Sequence, residues 1–281
     1  MLRIGTRGSR LAMAQTESIR LLLKQQVEIV TITTTGDSSA EPVLTGLGDG
    51  IFVKEIQTAL RDGRIDLAVH SLKDMPTDQL PDLTIAAIPT RADPRDALVG
   101  ATLSSLDVGA TVGTSSQRRA AQLKHLRHDL KVAPIKGNVP TRIEKVRRGE
   151  YDAVLVAAAG LARLGLMADE ILDLDAMLPA PGQGALALET RAGEQRQVAH
   201  LDNPATRSDV EMERDLLRLL GGGCLLPLGA FALKGTLIGA VTSIDGTTQI
   251  RAEATGGDAA AEVAEQLRRQ GAHELLAQFA R

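Results

Sequence analysis

The chain has 281 residues, of which 43% are hydrophobic and 24% charged, a composition typical of a globular protein with two or three compact units. A net charge of −3 at pH 7 argues against a general nucleic-acid binder, and an aromatic content of 1% leaves few rings for stacking on bases. The apolar runs are too short to span a bilayer. The single cysteine excludes an intrachain disulfide framework, and the five scattered histidines show no metal-ligand spacing. We therefore expect a cytoplasmic protein without metal, membrane or nucleic-acid partners.

Strand and helix patterns alternate along the first 164 residues. Such alternation predicts parallel α/β sheets, whose ligands lie beyond the carboxyl ends of the strands. In chain order the predicted elements are strand Leu2–Thr6, a helix capped by Ser9 and running to about Gln26, strand Val27–Thr34, a loop over 35–50, helix Val53–Arg61, strand Ile65–His70, strand Thr111–Gly113, helix Ser115–Arg127, strand Lys131–Ile135, helix Val139–Arg148, strand Ala153–Val156 and helix Ala158–Leu164.

The pattern changes after Ala205. Strands that follow one another directly indicate a separate α+β unit. It consists of helix Arg207–Leu220, a glycine run at 221–223, strands around Leu226–Leu233, Leu237–Ile244 and Gln249–Ala254, and a last helical stretch, Ala259–Gln278.

Cationic residues recur at or just beyond the predicted strand ends: Arg7, Lys73, Arg118, Arg119, Arg142 and Arg163. A loop with free backbone N–H groups beside an arginine is suited to bind an anion. The tandem pair Arg118–Arg119 opposes the dipole of its helix, a cost that a bound anion would offset, although the pair could also be a solvated helix face. Several planar guanidiniums favour a polycarboxylate over a single phosphate, and neither GxxxxGK[ST] nor GxGxxG follows a strand.

Two further segments could carry chemistry. Asp74, in the segment His70–Pro76 at a strand exit, is either an ordinary turn or ion-pair residue or a carboxylate that stabilises developing positive charge. Cys224 follows three glycines. A lone cysteine is commonly a buried small apolar residue, and the alternative is a sulfur that holds or attacks a bulky group.

At these positions the sequence resembles the hydroxymethylbilane synthase (porphobilinogen deaminase) family. The resemblance covers nearly the whole chain, more loosely after about Ala230. It rests on Arg3–Ser9, Gly50–Glu55, His70–Pro76, Asp93–Asp96, Gly113–Arg119, Gly137–Val139, Pro181–Ala185 and Gly223–Cys224, which occur in the order typical of the family.

The resemblance implies a fold of class α/β, with two lobes like those of periplasmic binding proteins, built on mainly parallel sheets, and a small C-terminal α+β domain. The implied boundaries are 1–89 with 185–203 for lobe 1, 90–184 for lobe 2, and 204–281 for the C-terminal domain. We also expect a monomer.

The resemblance further implies a transferase that joins four porphobilinogen molecules, with loss of ammonia, into linear hydroxymethylbilane on a dipyrromethane primer attached to Cys224. Asp74 would be the catalytic carboxylate. The implied cofactor-binding residues are Cys224, Lys73, Ser71, Thr114, Ser116, Arg118 and Arg119, and the implied substrate-binding residues are Arg7, Ser9, Phe52, Arg142, Arg163 and Gln183.

Some positions depart from the usual family pattern, namely Asp49, Lys136, Pro140, Gly221 and Leu225. Pro140 is compatible with a helix start because it falls in the first turn after a predicted Asn138 cap. None of these positions is Cys224, Asp74 or the tandem arginine pair, so we expect activity. Two other functions stay open: a non-catalytic bilobal anion receptor and a thiol-dependent acyl transferase.

Overall fold

The computed structural model describes residues 1–34, 53–221 and 226–279. Within these ranges its strands are β1 (Leu2–Arg7), β2 (Val27–Ile32), β3 (Leu67–Ser71), β4 (Leu83–Ala87), β5 (Asp96–Val99), β6 (Thr111–Gly113), β7 (Lys131–Ala133), β8 (Ala153–Ala157), β9 (Glu170–Ile171), β10 (Leu186–Arg191), β11 (Leu228–Leu233), β12 (Thr236–Thr242) and β13 (Gln249–Thr255). The helices are α1 (Arg10–Leu23), α2 (Lys54–Arg61), α3 (Gln117–Leu126), α4 (Val139–Arg147), α5 (Ala158–Arg163), α6 (Pro204–Leu219), α7 (Ala259–Arg269) and α8 (Ala272–Ala277).

The chain divides into two compact units, each made of two segments. Unit 1 comprises 1–92 and 184–207, and unit 2 comprises 93–183 and 208–281. The sequence predicts three domains, whereas this division groups the C-terminal residues 208–281 with 93–183 in unit 2. The boundaries of the three domains stay a prediction.

Unit 1 is built on a five-stranded mixed sheet with the order β2-β1-β3-β10-β4. β1 pairs in parallel with β2 and β3, whereas β10 pairs antiparallel with β3 and β4. Aliphatic side chains form the core clusters of this unit, one including Ile4 and Leu188 and another including Ile56 and Leu60. The parallel pairing of β1 and β3 places their carboxyl ends at one edge of the sheet.

Unit 2 contains two sheets. The first has the order β7-β6-β8-β5-β9, in which β6 is parallel to β7 and β8 while β5 is antiparallel to β8 and β9. The second is the antiparallel sheet β11-β12-β13, against which α7 and α8 pack through a cluster that includes Val263 and Leu267. The predicted α/β class and the small C-terminal α+β part are confirmed, and both larger sheets contain antiparallel strands beside their parallel ones.

The helices and strands predicted within the described ranges are present, with local corrections, whereas the loop predicted over 35–50 and residues 222–223 of the glycine run lie outside those ranges. Ser9 caps α1 as predicted, but α1 ends at Leu23 because Lys24 is left-handed, with φ of 50°. The helical stretch predicted over 259–278 consists of two helices, because Gly271, with φ of 94°, separates α7 from α8. Asn138 caps α4 and accepts from the Thr141 N–H, so the predicted place of Pro140 in the first turn is confirmed.

Candidate functional site

A small cavity of about 30 Å³ lies in unit 1 at the carboxyl ends of β1 and β3. Arg7 is the last residue of β1, Ser71 is the last residue of β3, and Asp74 ends the 3-10 turn that follows. Residues from α1, α2 and their flanks complete the lining, which consists of Arg7, Ala12, Gln15, Val53, Ile56, Val69, His70, Ser71 and Asp74. The structure therefore brings together three of the predicted site residues, Arg7, Ser71 and Asp74. Lys73 lies in the same 3-10 turn as Asp74.

Gln15 is a cavity residue that the sequence analysis did not identify. It is buried on α1, and its Nε2 donates to Ser71 Oγ at 2.8 Å. Its position offered a signal, because Gln15 lies four residues from both Leu11 and Ile19 and so shares a helix face with these apolar residues. The predicted substrate-binding residue Ser9 caps α1 by accepting from the Ala12 N–H at 3.3 Å.

His70, which also lines the cavity, is held by a buried carboxylate. Its Nε2 lies 3.1 Å from Glu189 Oε2, and the two side chains are 3% and 4% exposed. Gln57 Nε2 donates to the other oxygen, Glu189 Oε1, at 2.9 Å. The sequence placed His70 in a segment of interest but gave no sign of its partner, which is 119 residues away.

In unit 2 the tandem arginines are buried around one carboxylate. Asp96 on β5 is fully buried, and Arg118 and Arg119 are 3% and 6% exposed. Arg118 Nη1 donates to Asp96 Oδ2 at 2.7 Å, and Arg119 Nε and Nη2 reach Asp96 Oδ1 at 2.8 and 2.7 Å. The alternative that this pair is a solvated helix face is therefore wrong, because both guanidiniums point into unit 2 toward Asp96.

Gln183 and Leu178 complete the same buried network. Gln183 is fully buried, and its Nε2 donates to Asp96 Oδ1 at 2.9 Å and to the Pro94 carbonyl at 2.8 Å. Arg118 Nη1 also donates to the Leu178 carbonyl at 2.6 Å, whereas its Nε is buried and has no hydrogen-bond partner among the described residues. Arg119 and Gln183 were predicted to bind cofactor and substrate, and the structure places both side chains against Asp96.

The electrostatics of this cluster favour the ionised carboxylate. Burial raises the pKa of Asp96, but the charges of Arg118 and Arg119 outweigh it and hold the pKa well below its ordinary value. Burial also lowers the pKa of the Arg118 guanidinium, against the opposing effect of Asp96. Asp96 thus supplies the negative charge that the sequence analysis expected from a bound anion.

Two further arginines of unit 2 carry positive charge in partly buried positions. Arg142 on α4 donates from Nε to the Gly137 carbonyl at 2.7 Å. Burial lowers the pKa of Arg142, and the positive charge of Arg119 lowers it further, so these guanidiniums lie close enough to repel each other. Burial lowers the pKa of Arg163, at the end of α5, to about 10. Charge repulsion between buried guanidiniums favours the binding of an anion between or beside them.

Hydroxyl side chains organise the start of α3. Ser116 caps the helix by accepting from the Arg119 N–H, and Thr114 Oγ1 accepts from the Ser116 N–H at 3.2 Å. Both residues were predicted to bind the cofactor, and both fix the turn from which the tandem arginines project. Ser115, between them, bonds to the Ile135 backbone through both its donor and its acceptor capacity.

The predicted site residues therefore form two sets, one in each unit. Phe52 and Cys224 lie outside the described residues, as do Asp49 and Leu225. Over the described ranges, no group of three His, Cys, Asp or Glu side chains is arranged to hold a metal ion. None of the helices in those same ranges has the length and apolar character required to cross a bilayer.

Two family models match successive parts of the chain. Residues 2–199 match the family model described as the dipyromethane cofactor binding domain of porphobilinogen deaminase, and residues 208–277 match that of the porphobilinogen deaminase C-terminal domain. Among solved structures, the methionine-binding protein MetQ aligns with a TM-score of 0.46 and 14% identity, over 76% of this chain and 92% of that chain.

Relatives named porphobilinogen deaminase align over most of the chain. The protein from Roseiflexus castenholzii is 49% identical, covering 87% of each chain. Those from Acidothermus cellulolyticus and Mycobacterium marinum are 48% and 47% identical, covering 98% of this chain and 91% and 97% of their own lengths. The family predicted from the motifs is confirmed: the chain belongs to the porphobilinogen deaminase family.

Proposed function

We propose that this chain is a hydroxymethylbilane synthase, a transferase that condenses four porphobilinogen molecules into linear hydroxymethylbilane with loss of ammonia. The observation that carries the proposal, within a family whose model is a dipyromethane cofactor binding domain, is the charge balance around Asp96. The positive charge of Arg119 lowers the pKa of Arg118 and that of Arg142, and Asp96 is the carboxylate in contact with Arg118 and Arg119. Such an excess of positive charge suits a ligand with several carboxylates.

The residues of unit 2 fit a polycarboxylate primer. Arg142 and Arg119 repel each other, so a ligand carboxylate beside them would relieve that repulsion. Burial alone lowers the pKa of Arg163, to about 10, so its guanidinium stays charged but is poorly solvated, and a nearby anion would stabilise that charge. We propose that Thr114 and Ser116 hold the turn in front of these arginines and that Cys224 attaches the dipyrromethane.

The residues of unit 1 fit the reacting substrate. The primer, when bound, supplies the free pyrrole carbon to which each new unit is joined. We assign to Asp74 the task of opposing the positive charge that develops on porphobilinogen as ammonia leaves, since a carboxylate in a confined cavity stabilises such charge more than water does. Arg7, in the same cavity lining, would hold a substrate carboxylate. Ser9 and Lys73, together with Phe52 and with Gln183 of unit 2, are assigned to substrate or primer as the family resemblance implies.

We also propose a division into three domains, with lobe 1 over 1–89 and 185–203, lobe 2 over 90–184 and a C-terminal domain over 204–281. The two family models meet between 199 and 208, which supports the last boundary. A cytoplasmic monomer is proposed as well, in keeping with the single cysteine and the net charge of −3. Size-exclusion chromatography with light scattering tests the monomer, for which a mass near 29.7 kDa is expected.

Intact-mass spectrometry of the purified chain tests the proposed function. The expected mass exceeds that of the sequence by two condensed pyrrole units, and the protein should consume porphobilinogen. An unmodified mass with no turnover would instead support an anion receptor. Labelling of Cys224 by thiol reagents in the native protein, together with acyl transfer, would support a thiol-dependent acyl transferase.

A further inference from the structure

Asp96 has no assigned role in the proposed function, yet it lies at the centre of the residues that do. It begins β5, is fully buried, and contacts Arg118, Arg119 and Gln183 through its two carboxylate oxygens. Each oxygen has a distinct task, because Oδ2 accepts from Arg118 and Oδ1 accepts from Arg119 and Gln183. The orientation of both guanidiniums therefore depends on one carboxylate.

The contacts with Arg119 show what that carboxylate fixes. Asp96 Oδ1 lies within 2.8 Å of both Nε and Nη2 of Arg119, and the Leu155 carbonyl accepts from Nη1 at 3.3 Å. A guanidinium held along one edge by a carboxylate cannot rotate about its long side chain without breaking a charge-assisted bond. Asp96 thus keeps the charge of Arg119 near Arg142, where the two affect each other.

Burial makes this arrangement depend strongly on the carboxylate. Two guanidiniums that are less than one-tenth exposed would be costly to desolvate without a counter-charge. Asp96 supplies that counter-charge and remains ionised because Arg118 and Arg119 hold its pKa well below the ordinary value. One carboxylate against two guanidiniums leaves the cluster with net positive charge, which favours a ligand carboxylate beside it.

We propose that Asp96 is a positioning residue for the polycarboxylate site, one that orients Arg118 and Arg119 and offsets part of their charge before a ligand binds. This inference rests on the proposed function. It predicts that loss of the carboxylate weakens primer retention and substrate binding more than it slows the chemical step, since Asp96 acts through the arginines.

Replacement of the carboxylate tests the inference, with formate as a small substitute anion. In Asp96→Ala we expect a primer-free fraction by intact mass and a KM for porphobilinogen raised at least about tenfold, with a smaller change in kcat. Added formate should partly restore the primer content and partly lower the KM, because it can occupy the space of the missing carboxylate between the guanidiniums. In Asp96→Asn the same losses are expected without rescue, because the amide fills that space.

Asp129→Ala is the matched control. Asp129 pairs with Arg127, the residue that follows α3, at 2.7 Å, so this variant also removes an aspartate–arginine pair, at the opposite end of the helix. We expect primer content and KM to stay near the wild-type values and formate to have no effect. An equal concentration of chloride controls for ionic strength in every measurement.

Each outcome bears on the inference. Wild-type primer content and KM in both Asp96 variants would overturn it, as would a folded Asp96→Ala whose losses formate does not reduce. If Asp96→Ala folds in formate but not in chloride, the inference is supported. If Asp96→Ala folds in neither anion and Asp96→Asn keeps the wild-type KM, the inference is overturned. A wild-type chain with neither primer nor turnover would instead count against the proposed function itself.

Discussion

His70 and Glu189 form a buried pair between the neighbouring antiparallel strands β3 and β10, with 3.1 Å between the imidazole Nε2 and Glu189 Oε2. Glu189 also accepts from Gln57 on α2, so one carboxylate connects two strands and a helix of unit 1. Because His70 lines the same cavity as Asp74, this connection supports the wall of the proposed site.

Glu189→Ala should destabilise unit 1. The change removes the carboxylate that contacts buried His70 and half-buried Gln57, and a buried polar group left without its partner typically costs about 1–3 kcal/mol. We expect a loss of about 3 kcal/mol in the free energy of unfolding, measured by urea denaturation. Glu17→Ala, which removes an exposed ion pair with Arg20 on α1, should change the free energy of unfolding far less. Equal costs for the two variants would contradict the structural role of Glu189.

The parallel strands of both larger sheets could be predicted from the sequence, whereas their antiparallel strands could not. β1, β2, β6 and β8 are apolar or β-branched runs next to helices, and alternation with helices identifies them. β5 has four residues and β10 follows a long irregular segment, and each pairs with strands far away in sequence. Short apolar runs without a neighbouring helix pattern carry no period that separates strand from loop.

The tandem arginines show the same limit at the level of the site. The sequence located Arg118 and Arg119 at a helix start and predicted a need for negative charge, and that need is real. The partner, Asp96, lies 22 and 23 residues earlier, and the pairing of β5 with β8 is a tertiary relationship that local pattern does not encode. Polar residues on an apolar helix face, such as Gln15, were the signal that could have revealed more of the site.

Asp74→Ala should abolish condensation of porphobilinogen while leaving the fold intact. Asp74 is half-buried at the end of a short turn, and its removal takes away the carboxylate proposed to oppose the developing positive charge. Turnover is followed by hydroxymethylbilane formation, and folding by the urea midpoint. Asp78→Ala, at a nearby exposed position, should keep wild-type turnover. Near-normal turnover in Asp74→Ala would refute the assigned role.

Cys224→Ser should yield a protein without primer. Since Cys224 is the only cysteine of the chain, the variant has no other thiol that could form the thioether bond. We expect the unmodified sequence mass and no colour in Ehrlich's test, whereas the wild type should react. A Cys224→Ser protein that still carries two condensed pyrrole units would show that the attachment lies at another residue.

Gly246→Ala should destabilise unit 2 more than Gly235→Ala does. Both glycines have positive φ, 78° and 83°, so both substitutions carry the backbone strain of a left-handed residue. A Cβ at Gly246 would lie 2.5 Å from Lys124 Cβ and 2.7 Å from the backbone nitrogen of His125, whereas a Cβ at Gly235 meets no atom within 4 Å. Close contact is needed there because His125 Nδ1 lies 2.9 Å from the Gly246 carbonyl.

The cost of Gly235→Ala estimates the strain alone, about 1–2 kcal/mol. The clash with α3 should add about 1–3 kcal/mol for Gly246→Ala, in urea denaturation at neutral pH. Matching losses in the two variants would mean that the turn can move away from α3 without penalty.

Asp245 makes the same turn sensitive to acid. Its Oδ1 accepts from the hydroxyls of Ser243 and Thr247 and from the Thr247 N–H, and these bonds lower its pKa to about 2. A carboxyl whose pKa is depressed by folding stabilises the protein above its unfolded pKa of about 3.9, and this contribution disappears as the pH falls toward the folded pKa. The urea midpoint of Asp245→Ala should therefore lie well below that of the wild type at pH 6, and the gap should narrow at about pH 3. Asp175→Ala controls for the loss of an exposed negative charge and should show a small gap at both values. A gap for Asp245→Ala that is as wide at the acid pH as at pH 6 would show that the ionised carboxylate does not stabilise the turn that contacts α3.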